Sequence, residues 1–226
     1  MSIYKSGVGD ELVNPENYNI EVIDYLDEEA RILEMLISKF NTVIEAGCMT
    51  GRNLKLIHSL GKKYIGVDLE RRYIIEAKLN FGSVENALFV CSDIINIEDV
   101  LINSKQSKET AVIVFPFNSF GNVNDNYTTL KCLLQQRFEI VIFTYRNDSV
   151  TNEVRKDYYK KSGFKNLVIE ENADGVRFHD KTGLDSKAFS KYWFDNLGSQ
   201  TNNIFYHNHF AKIGVAYFNF KVENLT

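Results

Sequence analysis

Residues 43–54 read VIEAGCMTGRNL: an apolar run of strand length, a turn holding two glycines, and the opening of a helix. Parallel strands cannot be joined by a tight hairpin and need a longer crossover, usually helical, so this unit is what a parallel sheet repeats. Glycine has no Cβ and tolerates unusual dihedrals, so such a turn lets backbone come close to a ligand. The helix that starts near Gly51 then offers unpaired N–H groups to a carboxylate or phosphate. An acidic residue, Glu45, stands just before the turn. Turns that bind dinucleotides space their glycines G-x-G-x-x-G. Here Gly47 and Gly51 have three residues between them, and the second glycine of that pattern is missing. No G-x-x-x-x-G-K-[ST] phosphate loop occurs either.

Outward from this stretch the alternation continues. TVIEA (42–46), KYIGVD (63–68), ALFVCSD (87–93), TAVIVFPF (110–117) and FEIVIFTY (138–145) read as strands. RNLKLIHSL, stopped by Gly61, LERRYIIEAKLN, YTTLKCLLQQ, and TNEVRKDYYKKSGF, closed by Gly163, read as helices. Strands apolar on both faces and separated by helices imply a parallel sheet covered on two sides. On the N-terminal side, NIEVIDYLDEEARILEMLISKF carries an apolar stripe at Ile23, Leu26, Ala30, Leu33, Ile37 and Phe40, the spacing of a helix. After residue 164, KNLVIEE, GVRFHD, KAFSKYWF and KIGVAYFNFKV follow with no long helix of comparable strength. They read as antiparallel strands added to the sheet edge, in part as a cover over the site. The expectation is one doubly wound α/β unit over 1–226: a helical lead-in (1–40), a mostly parallel core (41–164), and C-terminal antiparallel strands with a substrate cover (165–226).

A chain of 226 residues can bury a substantial core, and 44% hydrophobic with 25% charged residues is ordinary for a globular protein. The 26 basic and 30 acidic side chains leave a net charge of −4 and no basic tract, which argues against nucleic acid as a partner. No apolar run approaches the ~20 residues that span a bilayer, and the first residues lack the order of a secretory signal. Cys48, Cys91 and Cys132 share no C-x-x-C spacing and are odd in number, which speaks against a disulfide framework and for a reducing cytoplasm.

In open α/β sheets ligands sit beyond the carboxyl ends of the strands. After the second strand comes Asp68, where a carboxylate can accept two hydrogen bonds from a ribose diol. After the third comes Ser92-Asp93-Ile94, a carboxylate for an exocyclic amine beside an apolar cover for an adenine ring. E-A-G-C-x-T-G, then G-V-D, then C-S-D-I, each following successive strands, resembles the class I S-adenosylmethionine-dependent methyltransferases over roughly residues 40–145. The resemblance implies that Glu45, Ala46, Gly47, Cys48 and Gly51, with Asn53, line the methionine and ribose. It implies that Asp68 holds the ribose hydroxyls with Leu69 against the adenine, and that Asp93 and Ile94 take the adenine edge and face. Phe115 and the loop after it would lie near the sulfonium. One departure is Met49, where the family often has glycine; it implies a different turn or a side chain directed away from the ligand.

Such a cofactor brings an activated methyl group, so the protein has to position more than to react. No Ser/His/Asp or Cys/His constellation stands out, and no catalytic residue is assigned. FPFNSFGN, after the fourth strand, either serves the acceptor through Phe117 and Asn118 or is a plain loop with core phenylalanines. Amino-methyltransferases of DNA or protein glutamine carry [DN]-P-P-[FYW] there; F-P-F-N-S-F-G is closer to the N-S-F-G type of small-molecule methyltransferases. Tyr4 and Tyr18 precede or open the N-terminal helix, which in this family often forms a lid, and Tyr18 either touches the methionyl group or the acceptor or simply packs. His207 and His209 would share a strand face as metal ligands, as a base, or as plain edge residues, and no third ligand accompanies them. Trp193 walls a pocket or belongs to the core, and Glu70-Arg71-Arg72 reads as a solvated helix start. The expected function is methyl transfer to nitrogen or oxygen of a small molecule. The alternatives are a methyltransferase of protein or RNA and a non-catalytic binding module on the same fold.

Overall fold

A computed structural model describes residues 3–222. After a short helix α1 (Ile3–Ser6) and two 3-10 turns comes α2 (Ile20–Leu36). Strands and helices then alternate: β1 (Thr42–Ala46), α3 (Leu54–Ser59), β2 (Lys63–Asp68), α4 (Arg71–Phe81), β3 (Ala87–Cys91), α5 (Ile97–Ser104), β4 (Ala111–Phe115), α6 (Asn126–Gln135), β5 (Glu139–Tyr145) and α7 (Ser149–Lys161). The remainder holds β6 (Val168–Asn172), β7 (Gly175–His179), β8 (Asp185–Phe189), α8 (Lys191–Thr201), β9 (Tyr206–Phe210) and β10 (Gly214–Phe218). The large sheet has the order β3-β2-β1-β4-β5-β10-β9. Its first five strands are parallel, β10 runs antiparallel to β5, and β9 antiparallel to β10.

Every residue of β1 and β4 is buried because successive side chains enter opposite layers. Val43, Val112, Val114, Val141 and Phe143 pack with α2, α3, α4 and α7 on one face. Ile44, Ile113, Phe115, Ile140 and Ile142 pack with α5, α6 and α8 on the other. Each such side chain contributes roughly 1.5–3 kcal/mol of transfer free energy, so the double covering is what holds the strand ends in place.

Four expectations change. The buried stripe of α2 runs through Val22, Tyr25, Glu29, Ile32, Leu33 and Leu36, while Ile23 is exposed; the helix is rotated from the stripe through Ile23 and Leu26. The segment 97–104, read as no element from the sequence, is α5, held by Ile97 and Leu101. KNLVIEE, GVRFHD and KAF do not join the edge of the large sheet but form a separate antiparallel one, β6-β7-β8. In β7, Val176 and Phe178 are buried while Arg177 pairs with Glu170 and Asp185, so the strand has one dry and one wet face. A parallel strand covered on both sides cannot carry that pattern. Finally, SKYWF opens α8: the Ser190 hydroxyl accepts from the Trp193 N–H at 3.2 Å, and Trp193, Phe194 and Leu197 form the buried face.

Candidate active site

The strand order turns back on itself at β1, with β2 and β3 on one side and β4 and β5 on the other, which is where an open α/β sheet leaves a crevice. A cavity of about 660 Å³ lies there. Its walls are the glycine turn, the residues after β2, β3 and β4, the N-terminal segment through Tyr4, Leu12, Val13 and Tyr18, and Tyr145, Tyr158, Tyr159 and Ser186.

On the β2–β3 side, two backbone N–H groups pin the Asp68 carboxylate: Met49 donates to Oδ2 at 2.9 Å and Glu70 to Oδ1 at 2.8 Å. Each oxygen keeps a lone pair for a further donor. Asp93 accepts from the Ile95 N–H at 3.2 Å through Oδ1. Ile94 is almost fully buried at the wall, and Leu69 is largely exposed beside it. Met49 has φ 47°, the left-handed conformation a glycine would hold without strain, and its N–H is thereby aimed at Asp68. At Gly47 (φ 74°) a Cβ would come within 3.0 Å of the Ser119 Cβ, so only glycine lets the turn and the loop after β4 close on each other. Ser119 also donates to the Ala46 carbonyl at 2.9 Å. Cys48 is buried, and burial pushes its thiol far up, which leaves it unreactive.

Two residues of the anticipated cofactor set stand behind the wall. Gly51 is buried against the Phe89 ring, and its role in the structure is the turn. Asn53 donates to Glu45 Oε1 at 2.9 Å rather than reaching the cavity. Glu45, whose other oxygen accepts from the Tyr64 hydroxyl, lines the cavity from a fully buried position, and burial raises its carboxyl to about 7. The helix after the turn begins at Leu54, later than the expected start near Gly51.

On the β4–β5 side the backbone is strained: Phe117 and Asn118 have φ 40° and 57°. Two groups hold them. Glu29 of α2, itself buried, accepts the Phe117 N–H at 2.7 Å and pairs with Arg52 from the glycine turn. Asn118 is spent within the protein: Thr144 Oγ1 donates to its Oδ1 at 2.6 Å, and its Nδ2 donates to Ser186 Oγ at 3.0 Å. Asn118 therefore ties β5 and the second sheet to this loop. Asn118→Ala is expected to lower methyl-transfer turnover by about tenfold or more, with cofactor affinity changed less than about threefold. Steady-state rates beside calorimetry check it, and equal losses in both would place Asn118 in the cofactor site. Phe115 is a buried wall residue stacked edge-on with Phe120 at 5.1 Å. Around Phe117 stand Tyr18, Tyr25, Tyr145 and Tyr158, with ring centroids 5.6–6.3 Å away. Burial raises the pKa of all four tyrosines, so they are neutral at pH 7 and serve as apolar faces and O–H donors.

Glu29, Arg52, Tyr145, Tyr158, Tyr159 and Ser186 were not singled out from the sequence. For Glu29 a signal existed, a carboxylate at helical spacing from Tyr25, Ile32 and Leu33. Arg72, read as part of a solvated helix start, instead donates to the Tyr4 carbonyl at 2.8 Å and pairs with Asp10, fastening the N-terminal segment over the cavity. His207 and His209 share the exposed face of β9, 5.5 Å apart. Among the described residues no group of His, Cys, Asp and Glu could hold a metal, and no helix is long and apolar enough to cross a membrane. Trp193 packs on Phe189 and Phe120, away from the cavity lining.

No family model matches the sequence, and no curated protein does. Solved structures match over most of the chain. A protein of Pyrococcus horikoshii OT3 has a TM-score of 0.63 at 13% identity, covering 91% of this chain and 93% of its own. The glycopeptide N-methyltransferase MtfA has a TM-score of 0.56 at 10% identity, covering 88% and 98%. The 1,6-didemethyltoxoflavin-N1-methyltransferase of Burkholderia thailandensis, holding 1,6-didemethyltoxoflavin and S-adenosylhomocysteine, has 0.50 at 12%, covering 87% and 79%. MtfA also forms a complex with sinefungin. The chain has the Rossmann-like α/β fold of class I S-adenosylmethionine-dependent methyltransferases.

Proposed function

We propose that this protein transfers a methyl group from S-adenosylmethionine to a nitrogen or oxygen of a small molecule. One observation carries the reading: a single cavity joins two pinned carboxylates at the ends of β2 and β3 to an aromatic chamber past β4. Its volume falls in the range of small-molecule sites, about 300–1,000 Å³. The residues fit the cofactor by their chemistry. Asp68 and Asp93 are acceptors with capacity left for hydroxyls and an amine, Ile94 and Leu69 supply apolar faces, and the Gly47 turn keeps side chains out of the crevice. The bound cofactor would supply a methyl group on a cationic sulfur.

What the chain supplies is orientation and dryness. Phe117 and Tyr18 present rings, Glu29 and Asn118 fix the loop that aims them, and Arg72 holds the N-terminal cover shut. Among the described residues no histidine lines the cavity, and the Glu29 carboxylate is engaged by Arg52 and the Phe117 N–H. A protein or RNA acceptor is less favoured, because the chain has a net charge of −4 and no basic tract, and Tyr4, Leu12 and Val13 of the N-terminal segment form part of the cavity wall. MtfA is named for a glycopeptide acceptor and the Burkholderia enzyme for 1,6-didemethyltoxoflavin, both methylated on nitrogen.

Asp68→Ala is expected to weaken adenosylmethionine binding by about 10- to 100-fold, since two ribose hydrogen bonds to a charged group and the anchor of the Met49 turn go together. Calorimetry with S-adenosylmethionine and S-adenosylhomocysteine measures this. No heat with either ligand in the wild-type protein refutes the reading, and an unchanged dissociation constant in the variant removes Asp68 from it. Methyl transfer from labelled cofactor into a fractionated metabolite extract then identifies the acceptor.

A further inference from the structure

Arg155 of α7 is fully buried, yet only its Nη2 is satisfied, donating to the Ser186 carbonyl at 3.1 Å. Its Nε and Nη1 meet no acceptor, and no described carboxylate pairs with it. Phe178, Tyr145 and Tyr159 flank the guanidinium at 4.4, 4.8 and 5.8 Å from their ring centroids. Ring faces offset only part of the charge, and a buried ion without a counter-charge costs more than such contacts return. Tyr145, Tyr159 and Ser186 are also walls of the cavity, so the positive charge stands one side chain behind them.

A count of hydrogens at the same wall points the same way. Thr144 donates to Asn118, and Asn118 donates to Ser186 Oγ. Ser186 Oγ and the Tyr159 hydroxyl share one bond of 2.8 Å. Two hydroxyl protons and one bond leave one O–H with no acceptor among the described residues, whichever of the two donates. Five carboxylates line the cavity, and none bonds to Tyr159, Ser186 or Arg155: Glu45 is bound by Asn53 and Tyr64, Asp125 accepts from the Thr128 N–H, and Asp68, Glu70 and Asp93 follow β2 and β3. Glu29, between the two halves, is held by Arg52 and the Phe117 N–H.

We propose that the methyl acceptor bears a carboxylate, which accepts a hydrogen bond from the spare hydroxyl of the Tyr159–Ser186 pair and whose charge is balanced by Arg155 across the wall. This rests on the methyltransferase reading and narrows it to small organic acids. Low dielectric at a buried wall strengthens both interactions.

The test uses the full chain saturated with S-adenosylhomocysteine and matched fragments: benzoate against benzamide, and indole-3-carboxylate against indole-3-carboxamide. Calorimetry and thermal shift are expected to show at least one acid binding about tenfold or more tighter than its amide. That preference should fall to within about threefold in Arg155→Met and in the double variant Tyr159→Phe/Ser186→Ala, with S-adenosylhomocysteine affinity unchanged. Should Arg155→Met fail to fold, the double variant decides alone, since hydroxyls with a purely structural role would leave the acid-over-amide ratio where it was. Amides binding as well as acids, no acid binding, or a preference that survives the variants overturns the proposal. Failure of the wild-type protein to bind S-adenosylhomocysteine overturns the cofactor reading instead.

Discussion

Glu29→Ala is expected to destabilise the fold by about 3 kcal/mol, the low end of what breaking one side of a buried ion pair costs. The carboxylate is 2% exposed and joins three elements: α2 that carries it, Arg52 of the glycine turn, and the Phe117 N–H after β4. Alanine leaves that N–H without an acceptor and the guanidinium without its counter-charge. Arg52 is 35% exposed, so water recovers part of its loss, which is why the lower figure is chosen. Phe117 holds φ 40°, and strain of this kind persists only while surrounding bonds enforce it. Methyl transfer is therefore expected to fall further than stability alone explains. Urea denaturation of Glu29→Ala, Arg52→Met and the double variant measures the coupling. A double variant costing less than the summed singles is expected. A single-variant cost below about 1 kcal/mol would show that the Glu29 junction does not hold the site together.

The central sheet was legible because its signals are local. TVIEA and KYIGVD became β1 and β2 with the bounds read from the sequence, since runs apolar on both faces suit only strands covered twice. Asp68 and Asp93 were legible for the same reason, as polar residues placed where those runs stop. The C-terminal third was harder. GVRFH alternates buried and exposed residues, a pattern that marks a half-wet sheet but not which sheet it joins. The aromatic half of the cavity was legible only in its loop. Tyr145, Tyr158, Tyr159 and Ser186 come from β5, α7 and β8, and no sequence spacing connects them; only packing of α7 and the second sheet against the same end of the barrel-less crevice does. Glu29 and Arg52 were passed over because each alone reads as an ordinary helix or turn residue, and the meaning lies in the pair.

Glu45 makes the protein sensitive to pH in a direction opposite to that of most carboxylates. Burial raises its pKa to about 7, against an ordinary value of 4.5, and the Tyr64 hydroxyl, Arg52 and Asn53 only partly counter this while Glu29 adds to it. Between those values the folded protein keeps a proton that the unfolded chain releases. Stability from this group is thus full below about pH 4.5 and is lost as pH rises to about 7, by about 3 kcal/mol in all. Asp68, whose pKa burial also raises, adds to the same slope. Glu45→Gln keeps an oxygen for the Asn53 Nδ2 and carries no charge to desolvate, so it is expected to flatten the profile and to leave the variant more stable than wild type at about pH 8. Denaturant midpoints of both proteins across about pH 5 to 8 measure the difference; parallel profiles would mean that Glu45 is ionised throughout. Binding of a cation near this carboxylate must favour its charged form, so adenosylmethionine affinity is expected to rise over the same interval in wild type and to lose that rise in the variant.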